Sequence, residues 1–232
     1  MSDIQIYYAA ASNITNDLHK QNIEIDSIAR SGYKTFEQIK NDIKTTNNFC
    51  RDEESISINH LLGTLASNVI LYAIIKDKVV GVLTFFFNVN KKGEKIINFD
   101  GICSPKEFTG LGIGNKLIDT LIRIGKFNNI KYINLECKGN VMKYYKNKFG
   151  FVISEQTMAY DSDDDETEPY YHMTLDLSTV SGGKKRKYNK KTNKHNKKTN
   201  KHNKKTNKHN KKTNKHNKKT NKYNKKTNKN LK

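Results

Sequence analysis

Cysteine is scarce in this sequence, which has 232 residues and only three cysteines, Cys50, Cys103 and Cys137. They are far apart, odd in number and without Cys-x-x-Cys spacing, so the pattern predicts neither a disulfide framework nor a zinc site. We therefore expect a reducing compartment and interpret Cys103 as a small apolar core residue. The histidines outside the C-terminal repeats form no cluster in the sequence either, and we expect no bound metal.

Long apolar runs are also missing, because no segment approaches the ~18 apolar residues that would span a membrane. The first residues, Met1-Ser2-Asp3, lack the charged and apolar regions of a secretory signal. We expect an intracellular protein that is not secreted and has no membrane partner. Its compartment is the cytoplasm or, if Lys184-Lys185-Arg186-Lys187 acts as an address, the nucleus.

Acidic residues are absent from residues 184–232, which hold 23 of the 43 Lys and Arg residues. The rest of the chain carries the other 20 basic residues against 23 acidic ones, a net charge of −3. A seven-residue repeat, Lys-Thr-Asn-Lys-His-Asn-Lys, begins at Lys191 and has no apolar residue for the a and d positions of a coiled coil. We predict a disordered tail over residues 179–232 and one folded domain over residues 1–178.

The charge of the tail indicates a partner. A disordered polycation of this density is expected to bind nucleic acid without sequence specificity, through neutralisation of phosphates by residues 184–232. The alternative is a solubilising tail that has no partner.

Alternating and continuous apolar segments in the folded part predict strands. Leu71–Ile75 and Val79–Phe87 flank a short polar turn, and a second turn leads into a strand over Ile96–Cys103. The sequence therefore predicts an antiparallel meander of three strands. Ile113, Leu117, Ile118, Leu121 and Ile122 then recur at helical spacing, which predicts an amphipathic helix after that meander.

Three glycines lie where the last strand of the meander gives way to this helix, in the segment Thr109-Gly110-Leu111-Gly112-Ile113-Gly114-Asn115. Glycines allow a tight turn, and the first turn of a helix offers unpaired N–H groups to an anion, so the segment predicts a phosphate site. It is not a Walker motif, because Leu117 stands where Ser or Thr should follow the lysine. The segment also differs from the dinucleotide-binding fingerprint, because Asn115 stands where that fingerprint has its third glycine.

The loop resembles the acetyl-coenzyme A (acetyl-CoA) loop of the GNAT N-acetyltransferase superfamily, with Thr109 in the place of the usual Arg or Gln. Leu135-Glu136-Cys137, Asn140 and Tyr145–Phe151 resemble the later motifs of that superfamily. The resemblance covers roughly residues 70–177. It implies an α/β (α+β) fold with a mixed, mostly antiparallel central sheet flanked by helices, and transfer of an acetyl group from acetyl-CoA to an amine.

The resemblance also implies roles for individual residues. Tyr145 would protonate the departing thiolate, with the adjacent Tyr144 as the competing candidate. Glu136 or Asp100 would accept the proton of the amine, and both alternatives stay open. The acetyl-CoA would be held by Ile102, Cys103, Ser104, Thr109, Gly110, Leu111, Gly112, Ile113, Gly114, Asn115, Asn140 and Tyr145.

The acceptor cannot be named from the sequence, but two segments bear on it. Residues 14–48 predict two helices, which in the relatives cover the acceptor groove. Residues 161–168 hold six acids, which would attract a cationic amine such as a lysine-rich peptide or a polyamine. A catalytically silent protein that binds nucleic acid through its tail, or a CoA-binding sensor, is the alternative function.

Overall fold

A computed structural model of the chain describes residues 4–50, 57–158 and 169–180. These residues belong to one compact unit of the chain, Met1–Ser181. The predicted tail from residue 181 onward and the acidic segment 161–168 lie outside the described residues, and the boundary placed after residue 178 stays a prediction.

The described residues form an eight-stranded sheet with the strand order β2-β1-β3-β4-β5-β6-β8-β7. The β1–β2 and β5–β6 pairs are parallel and the other pairs are antiparallel. This confirms the prediction of a mixed, mostly antiparallel sheet flanked by helices. The strands are β1 Gln5–Ala9, β2 Arg30–Ser31, β3 Val69–Ile75, β4 Lys78–Val89, β5 Lys95–Cys103, β6 Tyr132–Lys138, β7 Val152–Met158 and β8 Pro169–Asp176.

In the described part of the chain, five α-helices and one 3-10 turn connect these strands. The helices are α1 Ser12–Lys20, α2 Phe36–Thr45, α3 Ile58–Thr64, α4 Ile113–Phe127 and α5 Gly139–Phe149, and the 3-10 turn is Lys106–Phe108. The predicted meander is present as β3, β4 and β5, and the predicted amphipathic helix is α4. Helix α3 and strands β1 and β2 were not predicted, because their segments are short and weakly periodic.

The sheet has an apolar layer on each face. Strand β3 is buried at every position, since its odd-numbered residues face one layer and its even-numbered residues face the other. The first layer contains Leu18 of α1 and the buried face of α4. The second contains Ile39 and Ile43 of α2 and Leu61 of α3. Helices α4 and α5 therefore lie on one face, and α2 and α3 on the other.

Strands β5 and β6 are paired over only part of their length. Their parallel pairing runs from Ile96 with Tyr132 to Phe99 with Leu135 and ends there, although both strands continue. The edge of β5 that faces β6 therefore has no strand partner after Phe99 among the described residues. An opening through the sheet results, and it begins at Asp100 on one side and Glu136 on the other.

The three cysteines correct one expectation. Cys50 and Cys103 form a disulfide, with Cα atoms 5.0 Å apart, and Cys137 is free and buried. The prediction of no disulfide was wrong because the partners are 53 residues apart in the sequence and meet only when β5 packs in the second layer. The expectation of a reducing compartment depended on unpaired cysteines, so the disulfide removes its basis.

Candidate active site

The glycine loop has the backbone that an anion site requires. Gly110 and Gly112 have φ angles of 82° and 78°, a region that side-chain-bearing residues rarely adopt. Gly112 is the N-cap of α4, and no side chain caps the first turn. The N–H groups of the first residues of α4 have no carbonyl partner within the helix, so they can bind a phosphate oxygen.

Thr109 supports this loop from outside the helix. Its hydroxyl donates a hydrogen bond to the carbonyl oxygen of Lys106 at 2.6 Å, which closes the 3-10 turn before the glycines. The side chain at this position thus fastens the loop to the turn that precedes it. The backbone N–H groups of α4 then remain the main donors available to a pyrophosphate.

A cleft of about 610 Å³ runs from this loop to the opening between β5 and β6, on the face that carries α4 and α5. We refer to it as the donor cleft. Eleven of the twelve residues predicted to hold acetyl-CoA line it; the exception is Leu111, a residue that is 53% exposed. Those that line it are Ile102, Cys103, Ser104, Thr109, Gly110, Gly112, Ile113, Gly114, Asn115, Asn140 and Tyr145.

The two adjacent tyrosines of α5 both line the donor cleft but differ in their surroundings. Tyr145 is 7% exposed, and its ring packs edge-on against Phe99 and Phe151. Burial, then the nearby Tyr144 and Cys137, raises the pKa of Tyr145 above its usual range, so the phenol stays protonated. Tyr145 thus lies beside the strand residues at which the opening begins.

The ring of Tyr144 contacts that of Tyr145, with ring centroids 5.3 Å apart, but the Tyr144 hydroxyl is directed to the glycine loop. Tyr144 is 39% exposed, and its hydroxyl donates to Oδ1 of Asn115 in the first turn of α4, at 2.8 Å. The same hydroxyl lies 3.6 Å from the position that a Cβ on Gly114 would occupy. Tyr144 therefore contacts the glycine loop, whereas Tyr145 contacts the strands at the opening.

A second cleft, of about 1140 Å³, lies at the opening, and its lining includes Cys50 and residues of α3, which belong to the opposite face of the sheet. We refer to it as the acceptor cleft. The two clefts share the residues at the opening, so they meet there. The shared residues are Phe99, Asp100, Leu135, Glu136, Lys138 and Tyr170. Neither of the two helices predicted over residues 14–48 contributes to the acceptor cleft; Ile58 and His60 of α3 do.

Asp100 occupies a bulge in β5. Its neighbours Phe99 and Gly101 pair with the consecutive residues Phe85 and Thr84, so Asp100 is the extra residue. Its Oδ2 accepts hydrogen bonds from Nδ2 of Asn68 at 3.1 Å and from the hydroxyl of Thr84 at 3.4 Å. Both donors are buried, so they hold the carboxylate in one orientation.

Each carboxylate at the opening has a histidine beside it. Nε2 of His60 lies 3.7 Å from Oδ1 of Asp100, and Nδ1 of His172 lies 3.1 Å from Oε1 of Glu136. Sequence reasoning missed both histidines, together with Asn68 and the bulge. They come from segments far away in the chain, and no local pattern marks them.

The described residues contain no group of three or more His, Cys, Asp or Glu side chains that could hold a metal ion. No helix among residues 4–50, 57–158 and 169–180 is long and apolar enough to cross a membrane.

At least one solved structure shares this fold. A candidate acetyltransferase of the GNAT family from Desulfovibrio desulfuricans is 9% identical over 75% of this chain and 99% of its own, with a TM-score of 0.50. A GNAT acetyltransferase from Elizabethkingia anophelis with acetyl-CoA bound is 18% identical over 52% and 83%, with a TM-score of 0.43. Arabidopsis thaliana Naa50 in complex with the bisubstrate analogue CoA-Ac-MVNAL is 14% identical over 74% and 98%, with a TM-score of 0.45.

No curated protein matches the sequence. The sequence model of the family described as "Acetyltransferase (GNAT) family" matches residues 35–151. This range is half of the chain and includes the meander, the glycine loop and α5. This match confirms the predicted acyltransferase and its co-substrate, acetyl-CoA. The chain therefore belongs to the GNAT family of acetyltransferases.

Proposed function

We propose that the protein transfers an acetyl group from acetyl-CoA to a primary amine by direct attack. The observation that carries this proposal is the opening between β5 and β6, where the donor cleft meets the acceptor cleft and where Asp100 and Glu136 stand on opposite sides. An amine in one cleft could reach a thioester in the other at this point.

The donor cleft fits acetyl-CoA at two places. The uncapped first turn of α4 and the left-handed Gly110 and Gly112 suit the pyrophosphate. The edge of β5 after Phe99 has no strand partner among the described residues, so the backbone of Ile102 and Cys103 can bind the pantetheine amides. Ser104 and Asn140 also line this cleft.

The acceptor cleft suits an amine that arrives as an ammonium ion. Among the residues that the structure describes, three carboxylates, on Asp100, Glu136 and Glu155, and one lysine, Lys138, line it. The rings of Phe86 and Tyr170 add faces that attract a cation. A lysine side chain, a protein N-terminus, a polyamine and a small amine all meet this requirement.

The proposed reaction assigns a proton transfer to each side of the opening. Acetyl-CoA supplies the thioester carbonyl carbon, to which the neutral amine nitrogen bonds. Asp100 or Glu136 accepts the N–H proton, and Tyr145 protonates the sulfur as the C–S bond breaks and later regains a proton from water. The products are the amide and free CoA, and the ammonium form of the acceptor releases one proton overall.

The test is turnover by the full chain, measured as free CoA thiol and as acetylated product by mass spectrometry. Acceptors are lysine peptides, polyamines and alkylamines, with matched alcohols in place of the amines as controls. Turnover on amines alone supports the proposal. Binding of acetyl-CoA without turnover on any amine would contradict it and favour the silent protein or the CoA sensor.

We also propose that residues 184–232, which lie outside the described residues, bind nucleic acid without sequence specificity. The support is their charge, 23 basic residues with no acidic one.

A further inference from the structure

Three side chains form a row across β6, β8 and β7 at the rim of the acceptor cleft. Glu136 and Glu155 each pair in register with His172, which lies on the strand between them. Directly opposite residues of antiparallel strands project from the same face. All three line the acceptor cleft.

Glu136 and His172 are in direct contact within this row. Nδ1 of His172 lies 3.1 Å from Oε1 of Glu136, which is hydrogen-bonding distance. Glu136 lines both clefts, whereas His172 lines the acceptor cleft alone. The side chain of His172 is 33% exposed, so water and an incoming acceptor can reach it.

An alkylamine acceptor must lose one proton before it can attack the thioester. At neutral pH it is an ammonium ion, which has no lone pair for attack on a carbonyl, so it must lose a proton before the reaction. Histidine is the side chain suited to exchange a proton in this pH range. A histidine in the acceptor cleft, ahead of the thioester, stands where this first deprotonation has to occur.

We propose that His172 is the base that deprotonates the incoming ammonium ion and that Glu136 is its positioning residue. The N–H bond of the ammonium breaks, and its proton passes to Nε2 of His172. The carboxylate of Glu136 accepts a hydrogen bond from Nδ1–H and stabilises the imidazolium that forms. The imidazolium then releases this proton to water in the open cleft, which leaves His172 neutral again.

This inference rests on the proposed function and narrows it. Of the two carboxylates at the opening, Glu136 is within hydrogen-bonding distance of its histidine, whereas Nε2 of His60 lies 3.7 Å from Oδ1 of Asp100. Asp100 is therefore the one assigned to accept the second proton, which leaves the nitrogen during attack. Its two buried donors, Asn68 and Thr84, hold it at the opening for that step.

The test compares two acceptors of equal length that differ in basicity. Butylamine is an ammonium ion at neutral pH, whereas O-propylhydroxylamine is a neutral amine there and needs no first deprotonation. We expect His172→Gln to lower kcat/KM for butylamine by about 10²-fold, which is the lower range of general base catalysis, and to change the value for O-propylhydroxylamine by less than about threefold. Glu136→Gln should show the same selectivity with a smaller loss.

The matched control is His60→Gln, since His60 lines the same cleft beside the other carboxylate. It should not distinguish the two acceptors. Acetyl-CoA affinity and thermal unfolding of each variant verify that the fold is intact. Equal losses of kcat/KM for both acceptors in His172→Gln, or no loss for either, would overturn the role of His172. The proposed function would be unaffected by that result. A wild-type protein that acetylates neither of these acceptors nor any amine of the turnover assay would overturn the proposed function itself.

Discussion

Tyr144 and Tyr145 are neighbours in the sequence, yet the fold gives them different contacts. The Tyr145 ring is enclosed by Phe99 and Phe151 beside the opening, whereas the Tyr144 hydroxyl holds Asn115 in the glycine loop. A resemblance of motifs left the choice between them open. Their surroundings support Tyr145 as the acid and Tyr144 as a support for the loop.

Substituting each tyrosine by phenylalanine tests this division. Tyr145→Phe removes only the hydroxyl and keeps the ring packing, so we expect kcat to fall by about 10²-fold with little change in KM for acetyl-CoA. Tyr144→Phe loses the hydrogen bond to Asn115 and should raise that KM a few-fold with kcat nearly unchanged. Steady-state kinetics on one amine measure both. The reverse pattern would make Tyr144 the acid.

Asp100 is the other residue whose environment makes a prediction. Asp100→Asn removes the charge and places an amide where Asn68 and Thr84 both donate to Oδ2, so kcat/KM for an amine should fall about 10²-fold. Thr84→Ser keeps a donor at the same place and is the matched control. Kinetics of Asp100→Asn that match the wild type would exclude Asp100 from proton transfer.

At the scale of elements, the loop before α4 depends on two glycines with positive φ. Gly112→Ala should raise the Kd for acetyl-CoA by about tenfold, because a left-handed alanine costs roughly 1–2 kcal/mol and the loop would relax away from the anion geometry. Gly93→Ala carries the same strain, at φ 76°, in a turn that lines neither cleft. It should lower stability and leave Kd unchanged, as calorimetric titration would verify. A Kd that Gly112→Ala does not change would contradict the loop's role.

The disulfide joins two other elements, the end of β5 and the segment before α3. It closes a loop of 53 residues, for which loop-closure entropy predicts a contribution of about 4 kcal/mol to the free energy of unfolding. Reduction by a phosphine, or Cys50→Ser, should lower that free energy, as measured by urea unfolding. Cys137→Ser, at the free cysteine, keeps the disulfide, so the reductant should lower its free energy of unfolding as much as it does in the wild type. Unfolding that is identical with and without reductant would argue against the bond.

At the scale of the whole molecule, charge is divided between two parts of the chain. Residues 1–183 carry a net charge of −3 and residues 184–232 carry +23. If the tail neutralises six phosphates of a DNA duplex, the slope of log K against log salt should be about −5, and binding should weaken about a thousandfold between 50 and 200 mM salt. Fluorescence anisotropy measures both.

The control for this prediction is a chain that ends at residue 183, which should not bind the duplex. Several unrelated duplex sequences should bind the full chain equally, since phosphate contacts carry no sequence information. Binding that persists unchanged at high salt, or that needs one sequence, would contradict a purely electrostatic tail.

Much of the site was predictable because the signals are local. The glycines, the strand before them and the stripe of α4 lie within about thirty consecutive residues, where backbone geometry and helical period act directly. Eleven of the twelve predicted cofactor residues accordingly line one cleft. Two helices, α1 and α2, lie in the region where two were predicted, but α1 ends at Lys20 and residues 21–35 are not helical. It is α3 that reaches the acceptor cleft, since packing on the sheet decides which helix lies there.

By itself the sequence determined the family, the mixed sheet, the loop for acetyl-CoA and the charge of the tail, because each depends on residues close together in the chain. Tertiary structure alone decided the opening after Phe99 and Leu135, the bulge at Asp100, the Cys50–Cys103 bond and the contact of Glu136 with His172. These depend on strand register and on packing between segments that are 16 to 53 residues apart. A shift of one residue in register would turn each of those side chains to the other face of the sheet.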